Sequence, residues 1–133
     1  MKELVFENTE KLDAFYNNCK MYLLNDELKQ YVIYPESSIK NRSWDHKEIS
    51  KVNENLLNEI NNKANVYAIY TKDDENKYAK LRYIGQTKRK YARKRIFNHL
   101  INKNKNTGSV LEKVQKYLWD NKGKGQIIIS WIK

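Results

Sequence analysis

The spacing of apolar residues changes period near residue 64, and this limits the folds open to the chain more than any other feature. Beyond that point the segments Asn65–Thr71 and Lys80–Gly85 are short, rich in β-branched and aromatic residues, and joined by the polar stretch from Lys72 to Ala79. They read as a β-hairpin. Next, Ala92, Ile96, Phe97, Leu100 and Ile101 recur at helical spacing, predicting a helix from about Lys88 to Asn102. Leu111, Val114, Tyr117 and Leu118 predict another that stops at Gly123. The apolar run Gln126–Ile132 suits a central strand. The order from residue 65 is therefore β-β-α-α-β, an α+β fold with a small antiparallel sheet flanked by helices.

Upstream the pattern is helical. Leu12, Phe15, Tyr16, Cys19, Tyr22 and Leu23 predict a helix over 9–24 behind an Asn8 or Thr9 cap. Ile49, Val52, Leu56, Leu57 and Ile60 predict a second, running from Asp45 to about Asn62. Pro35 ends the Tyr31–Tyr34 run, and Pro35–Trp44 reads as a polar loop and linker. The expected division is a helical N-terminal region, 1–63, and a mixed domain, 64–133. At 133 residues two full domains are not expected.

The single Cys19 lies in an apolar stripe and reads as a small buried hydrophobe. With only His46 and His99 beside it, no Cys/His zinc site can be assembled. No apolar run approaches the roughly 20 residues of a membrane span, and the start lacks the apolar stretch of a secretory signal. A cytoplasmic location is the expectation.

Charge divides the chain as sharply as period does. Residues 1–60 carry 8 Lys/Arg against 11 Asp/Glu, whereas residues 61–133 carry 18 against 5. No acid falls between Glu75 and Glu112, a window that holds Arg82, Lys88, Arg89, Lys90, Arg93, Lys94, Arg95, Lys103 and Lys105. Such a surface suits a polyanion, and nucleic acid best, since neutralised phosphates release condensed counterions. The plainer alternative is a solvated basic face.

Four residues within or beside this window could do chemistry. Tyr67 and Tyr83 lie on the two hairpin strands, and Arg95 and His99 share a helix face at i and i+4. A phenol, an imidazole and a guanidinium converging in a basic groove suit phosphodiester hydrolysis: a proton acceptor for water, and a cation for charge developing on phosphate. Taken singly, strand tyrosines are more often packing residues and a helix histidine is commonly a surface residue.

The segment Asn65-Val66-Tyr67-Ala68-Ile69-Tyr70, followed by Arg82-Tyr83-Ile84-Gly85-Gln86-Thr87 and by Arg95-Ile96-Phe97-Asn98-His99, resembles the GIY-YIG nuclease family. The likeness covers roughly residues 64–133, and Tyr83-Ile84-Gly85-Gln86-Thr87 is its most specific part. It implies a double-stranded DNA endonuclease of the restriction, phage or mobile-element kind, with one divalent metal, Mg²⁺ or Mn²⁺. Tyr67 and Tyr83 take the places of the two motif tyrosines, Arg95 that of the helix arginine with Arg93 as its rival, and His99 that of the residue one turn on. Tyr67, helped by Tyr83 or His99, would accept the water proton, and Arg95 would stabilise the transition state.

Arg82, Lys88, Arg89, Lys90, Arg93, Lys94, Lys103 and Lys105 would hold DNA. The N-terminal region is left two roles, choosing the DNA site or pairing two copies as a homodimer. Two departures stand out: Asn65 replaces the usual glycine, and the glutamate that holds the metal, expected from a helix after the third strand, has no counterpart before Lys133. The metal ligand is therefore unassigned, with Glu112, Glu54 and Glu59 as candidate substitutes. A nucleic-acid-binding module that keeps the basic groove without cleaving is the competing expectation, and an RNA-binding or protein-interaction domain is a third.

If the acid-free window binds duplex DNA, affinity should fall roughly 10³-fold or more between about 50 and 200 mM salt, as several phosphate contacts require. A titration showing salt-insensitive binding would remove the basic window as the binding surface.

Overall fold

The computed structural model describes residues 29–73, 79–102 and 108–132. The helix expected over 9–24, the tip of the hairpin loop, Lys103 and Lys105 lie outside these residues. The described chain forms a four-stranded antiparallel sheet with helices, an α+β fold. Its elements are β1 (Gln30–Val32), α1 (Glu36–Lys40), α2 (His46–Val52), α3 (Glu54–Ile60), β2 (Val66–Asp73), β3 (Lys80–Gln86), α4 (Ala92–Leu100), α5 (Gly108–Asp120) and β4 (Gly125–Ile132). A 3₁₀ turn, Arg89–Tyr91, leads into α4. The sheet order is β1-β4-β2-β3.

From β2 onward the element order is the expected one. β2 pairs with β3 on one side and β4 on the other, and Asn65 continues both ladders by donating to the Ile132 carbonyl (2.8 Å) and accepting from the Thr87 amide (2.9 Å). Its place at the strand start makes no demand for glycine. Alternate β2 residues serve opposite faces: Tyr67 and Ile69 join Ile127 and Ile129 in the larger core, while Ala68 and Tyr70 join Ile128 and Ile132 in a smaller one. Ile127, Ile128 and Ile129 form an unbroken apolar run in β4 because both faces of the strand are buried there. The buried hydroxyl of Tyr70 is matched by Ser130 Oγ at 3.0 Å.

The described part of the N-terminal region is mainly helical, with Gln30–Val32 added as an edge strand on β4, Val32 opposite Ile127. Two expectations there need correction. Pro35–Trp44 is no open linker: it contains α1 and is fastened by aromatic donors. Tyr34 Oη donates to the Leu100 carbonyl (2.8 Å), Trp44 Nε1 to that of Ile101 (2.7 Å), and Trp119 Nε1 to that of Ser38 (2.9 Å). The first two occupy carbonyls at the C-terminal end of α4 that the helix itself leaves without partners.

The second correction concerns the single helix expected up to Asn62, which is two. Asp45 caps α2 by accepting from the Lys47 and Glu48 amides, and the helix breaks at Asn53. Asn53, 3% exposed, uses its side chain as a strand neighbour: Oδ1 accepts from the Ile33 amide (2.8 Å), and Nδ2 donates to the Ile33 and Ile49 carbonyls (2.7 Å each). The break brings Ile49, Leu56, Leu57 and Ile60 into the same cluster as Tyr67, Ile96 and Leu100. The core thus runs across position 63/64.

Replacing Asn53 by Ala removes the partners of the part-buried Ile33 amide and carbonyl, a loss of about 1 kcal/mol. Urea unfolding should show this destabilisation, and amide exchange should show early loss of protection at Ile33. Unchanged stability would mean that the side-chain bonds do not hold β1 in place.

Candidate functional site

The hairpin register sets the site. Tyr67 on β2 lies directly opposite Gly85 on β3. A Cβ at Gly85 would fall on the Tyr67 ring, against Cζ and Oη and 2.9 Å from Cε2. Glycine is therefore what lets the phenol lie across the neighbouring strand instead of standing above its own. Bent this way, Tyr67 Oη meets His99 Nε2 from α4 at 2.7 Å, and both residues are 1% exposed.

Tyr83 completes an aromatic group with ring centroids 6.1 Å from Tyr67 and 5.4 Å from His99, the latter edge-on. Tyr83, Arg95 and His99 line an open cavity of about 950 Å³ between β3 and α5, whereas Tyr67 stands behind it. The structure thus brings all four expected residues together in two layers. Tyr83 and Arg95 face the cavity, and the Tyr67–His99 pair forms its back wall.

The pair is held neutral. Burial, reinforced by the Tyr83 hydroxyl, pushes the Tyr67 phenol above its ordinary value, with the Arg95 charge acting in the opposite direction. Burial first, and the Arg95 charge second, lower His99 from 6.5 to about 4. His99 Nδ1 is buried without a hydrogen-bond partner. A neutral imidazole and a protonated phenol can exchange a proton along their bond without placing a net charge beneath the sheet.

The rival arginines separate clearly. Arg93 Nη1 donates to Asn58 Oδ1 on α3 (2.8 Å), while Arg95 lines the cavity. Of the other expected DNA contacts, Arg82 is the extra residue where the β2–β3 register shifts after Ile69. Its Nε donates to Thr71 Oγ1 (2.8 Å), which places it on the cavity wall. Lys88, Arg89, Lys90 and Lys94 are exposed around the turn into α4. Among the described residues none of these cations is in an ion pair.

Sequence reasoning missed the far wall. Lys113, Lys116, Tyr117 and Asp120 of α5 line the same cavity. Tyr117 lies over Gly125, where a Cβ would come within 2.6 Å of its ring, and its hydroxyl donates to Asp73 Oδ1 at 2.7 Å. The signal was present, since these four residues recur at helical spacing around the side of α5 away from Leu111 and Leu118.

The described residues contain no group of three or more His, Cys, Asp or Glu side chains able to share a metal ion. Asp120 is the only carboxylate residue lining the cavity among them, and Glu54, Glu59 and Glu112 do not line it. Mg²⁺ or Mn²⁺ needs hard anionic oxygens, so these residues do not fit the metal that the GIY-YIG resemblance implies.

No family model matches the chain, and neither the curated proteins nor the solved structures contain a significant match.

His99 should stay neutral as pH falls, with ring resonances flat until near pH 4 in an NMR titration. The unfolded chain protonates first, near 6.5, so His99 contributes stability above that pH that is lost as pH falls from about 6.5 to about 4. In Gly85→Ala the Tyr67 ring must move off His99. That should cost about 1–3 kcal/mol in unfolding experiments and move the His99 titration upward. An ordinary His99 titration in the native chain, or a silent Gly85→Ala, would contradict the packing described.

Proposed function

We propose that the chain acts on DNA phosphodiesters, as an endonuclease of the GIY-YIG type. The observation that carries this reading is the layered arrangement of Tyr83 and Arg95 at a cationic cavity backed by the neutral Tyr67–His99 bond. Arg95 and Arg82 bind the phosphate and offset charge that grows on it. Tyr83, being at the cavity, meets the attacking water. As the water oxygen bonds to phosphorus and the P–O bond to the leaving sugar oxygen breaks, the water proton passes by way of Tyr83 and Tyr67 to His99 Nε2, unprotonated near neutral pH, and the transient imidazolium returns it along the same path to the leaving oxygen. This ordering differs from the one the resemblance implies, in which Tyr67 meets the water itself, and it follows from the burial of Tyr67.

A second reading, DNA binding without cleavage, is favoured by the incomplete donor set for a divalent ion among the described residues. The two readings share every phosphate contact and differ only in turnover.

Digestion of supercoiled plasmid by the full chain with Mg²⁺ or Mn²⁺ separates them. Under the first reading the wild type nicks DNA. Tyr83→Phe lowers the rate by roughly 10²-fold or more while leaving DNA affinity near wild type, as loss of a proton-transfer group should. Arg95→Ala lowers both rate and affinity. Binding with no nicking in any metal selects the second reading, and absence of DNA binding removes both.

A further inference from the structure

Tyr91 is one of the large side chains that the fold leaves in solvent, 50% exposed. A single exposed aromatic is ordinary, but the surroundings of this one are not. It stands in the middle of the acid-free window, next to the exposed Lys88, Arg89, Lys90 and Lys94. Lys90 Nζ lies over the ring, 5.0 Å from its centroid, so one face of the ring already carries a cation and a stacking base would take the other. Tyr91 closes the 3₁₀ turn that leads into α4, and Arg95 and His99 follow at four-residue intervals. Position 91 therefore precedes Arg95, which lines the cavity, by about one helical turn, roughly 6 Å of backbone rise.

We infer that Tyr91 is a stacking platform for an unpaired DNA base next to the phosphate held at Arg95, so that the chain prefers DNA with a single-stranded tail or an unstacked nucleotide over a fully paired duplex. The inference rests on the DNA reading above and adds the substrate class. Bases buried in a duplex present no face to a protruding phenol, whereas an unpaired base stacks on it with little regard to sequence. Lys88, Arg89, Lys90 and Lys94 then follow the sugar–phosphate backbone on either side of that base, and the ring supplies what point charges cannot, discrimination between a base and a bare backbone.

The test compares a blunt duplex, the same duplex with a short single-stranded tail, and the same duplex with a tail of abasic sites. Affinity for each is measured by fluorescence anisotropy at low salt with the full chain. The abasic tail keeps the added phosphates and removes the bases. The wild type should bind the base-bearing tail about five-fold or more tightly than the abasic one, the range expected of base–aromatic stacking. Tyr91→Ala should abolish that difference while still binding the blunt duplex, and Tyr91→Phe should retain it. Equal affinity of the wild type for the two tails overturns the proposal, as does a Tyr91→Ala variant that weakens all three substrates alike. Failure to bind any of the three overturns the DNA reading itself.

Discussion

Strand β2 is held between β3 and β4 and buried on both faces, and nearly every other feature of the structure follows from that position. A strand so enclosed must satisfy two cores at once. Ala68 and Tyr70 supply one, and Tyr67 and Ile69 the other. A large phenol in such a place has little room to stand upright. It tilts across Gly85 on the neighbouring strand and ends at the imidazole of His99. The bond that backs the candidate site is thus a consequence of how the central strand is packed, and the site cannot be altered at Tyr67 without disturbing the core.

The electrostatics form two layers. Inside, desolvation keeps Tyr67 protonated and His99 unprotonated, because an ion there would lose its water without gaining a partner. Outside, Arg82, Arg95, Lys113 and Lys116 stand on the rim of the same cavity. Arg95 links the layers, since its charge is felt by both buried groups and faces the solvent where an anion would arrive. A proton exchanged along the Tyr67–His99 bond leaves the pair neutral overall, whereas a proton added from outside would place a positive charge in the core. The carboxylates are arranged differently, with Asp73 accepting from Tyr117 and Asp120 further along the wall. That separation leaves Asp120 as the one carboxylate among the described residues lining the cavity, beside Arg82, Arg95, Lys113 and Lys116.

The N-terminal elements contribute position more than chemistry. Asn53 breaks the helical run to hold Ile33, and Tyr34 and Trp44 donate to carbonyls at the C-terminal end of α4. The helix bearing Arg95 and His99 is thereby anchored by partners more than forty residues away in the chain. Arg93 adds a tie from α4 to α3. With one arginine used for anchoring, the other is left to the cavity.

The sequence alone determined the element order from residue 65 and the candidacy of Tyr67, Tyr83, Arg95 and His99, because strand and helix periods are local properties and four-residue spacing on a helix guarantees a shared face. It also determined the basic window, a matter of counting. Only the tertiary structure decided that Gln30–Val32 is a strand, since three residues gain strand geometry from the β4 edge they meet and not from their own pattern. Likewise, Pro35–Trp44 reads as polar loop until the C-terminal end of α4 is there to receive the Trp44 indole and the phenol of the adjoining Tyr34. Which of Arg93 and Arg95 lines the cavity, the burial of Tyr67 behind Tyr83, and the far wall from Lys113 to Asp120 were decided the same way. Each depends on which face of a helix or strand meets a neighbour distant in sequence. Periodicity names the residues that share a face, but only packing determines what that face is turned toward.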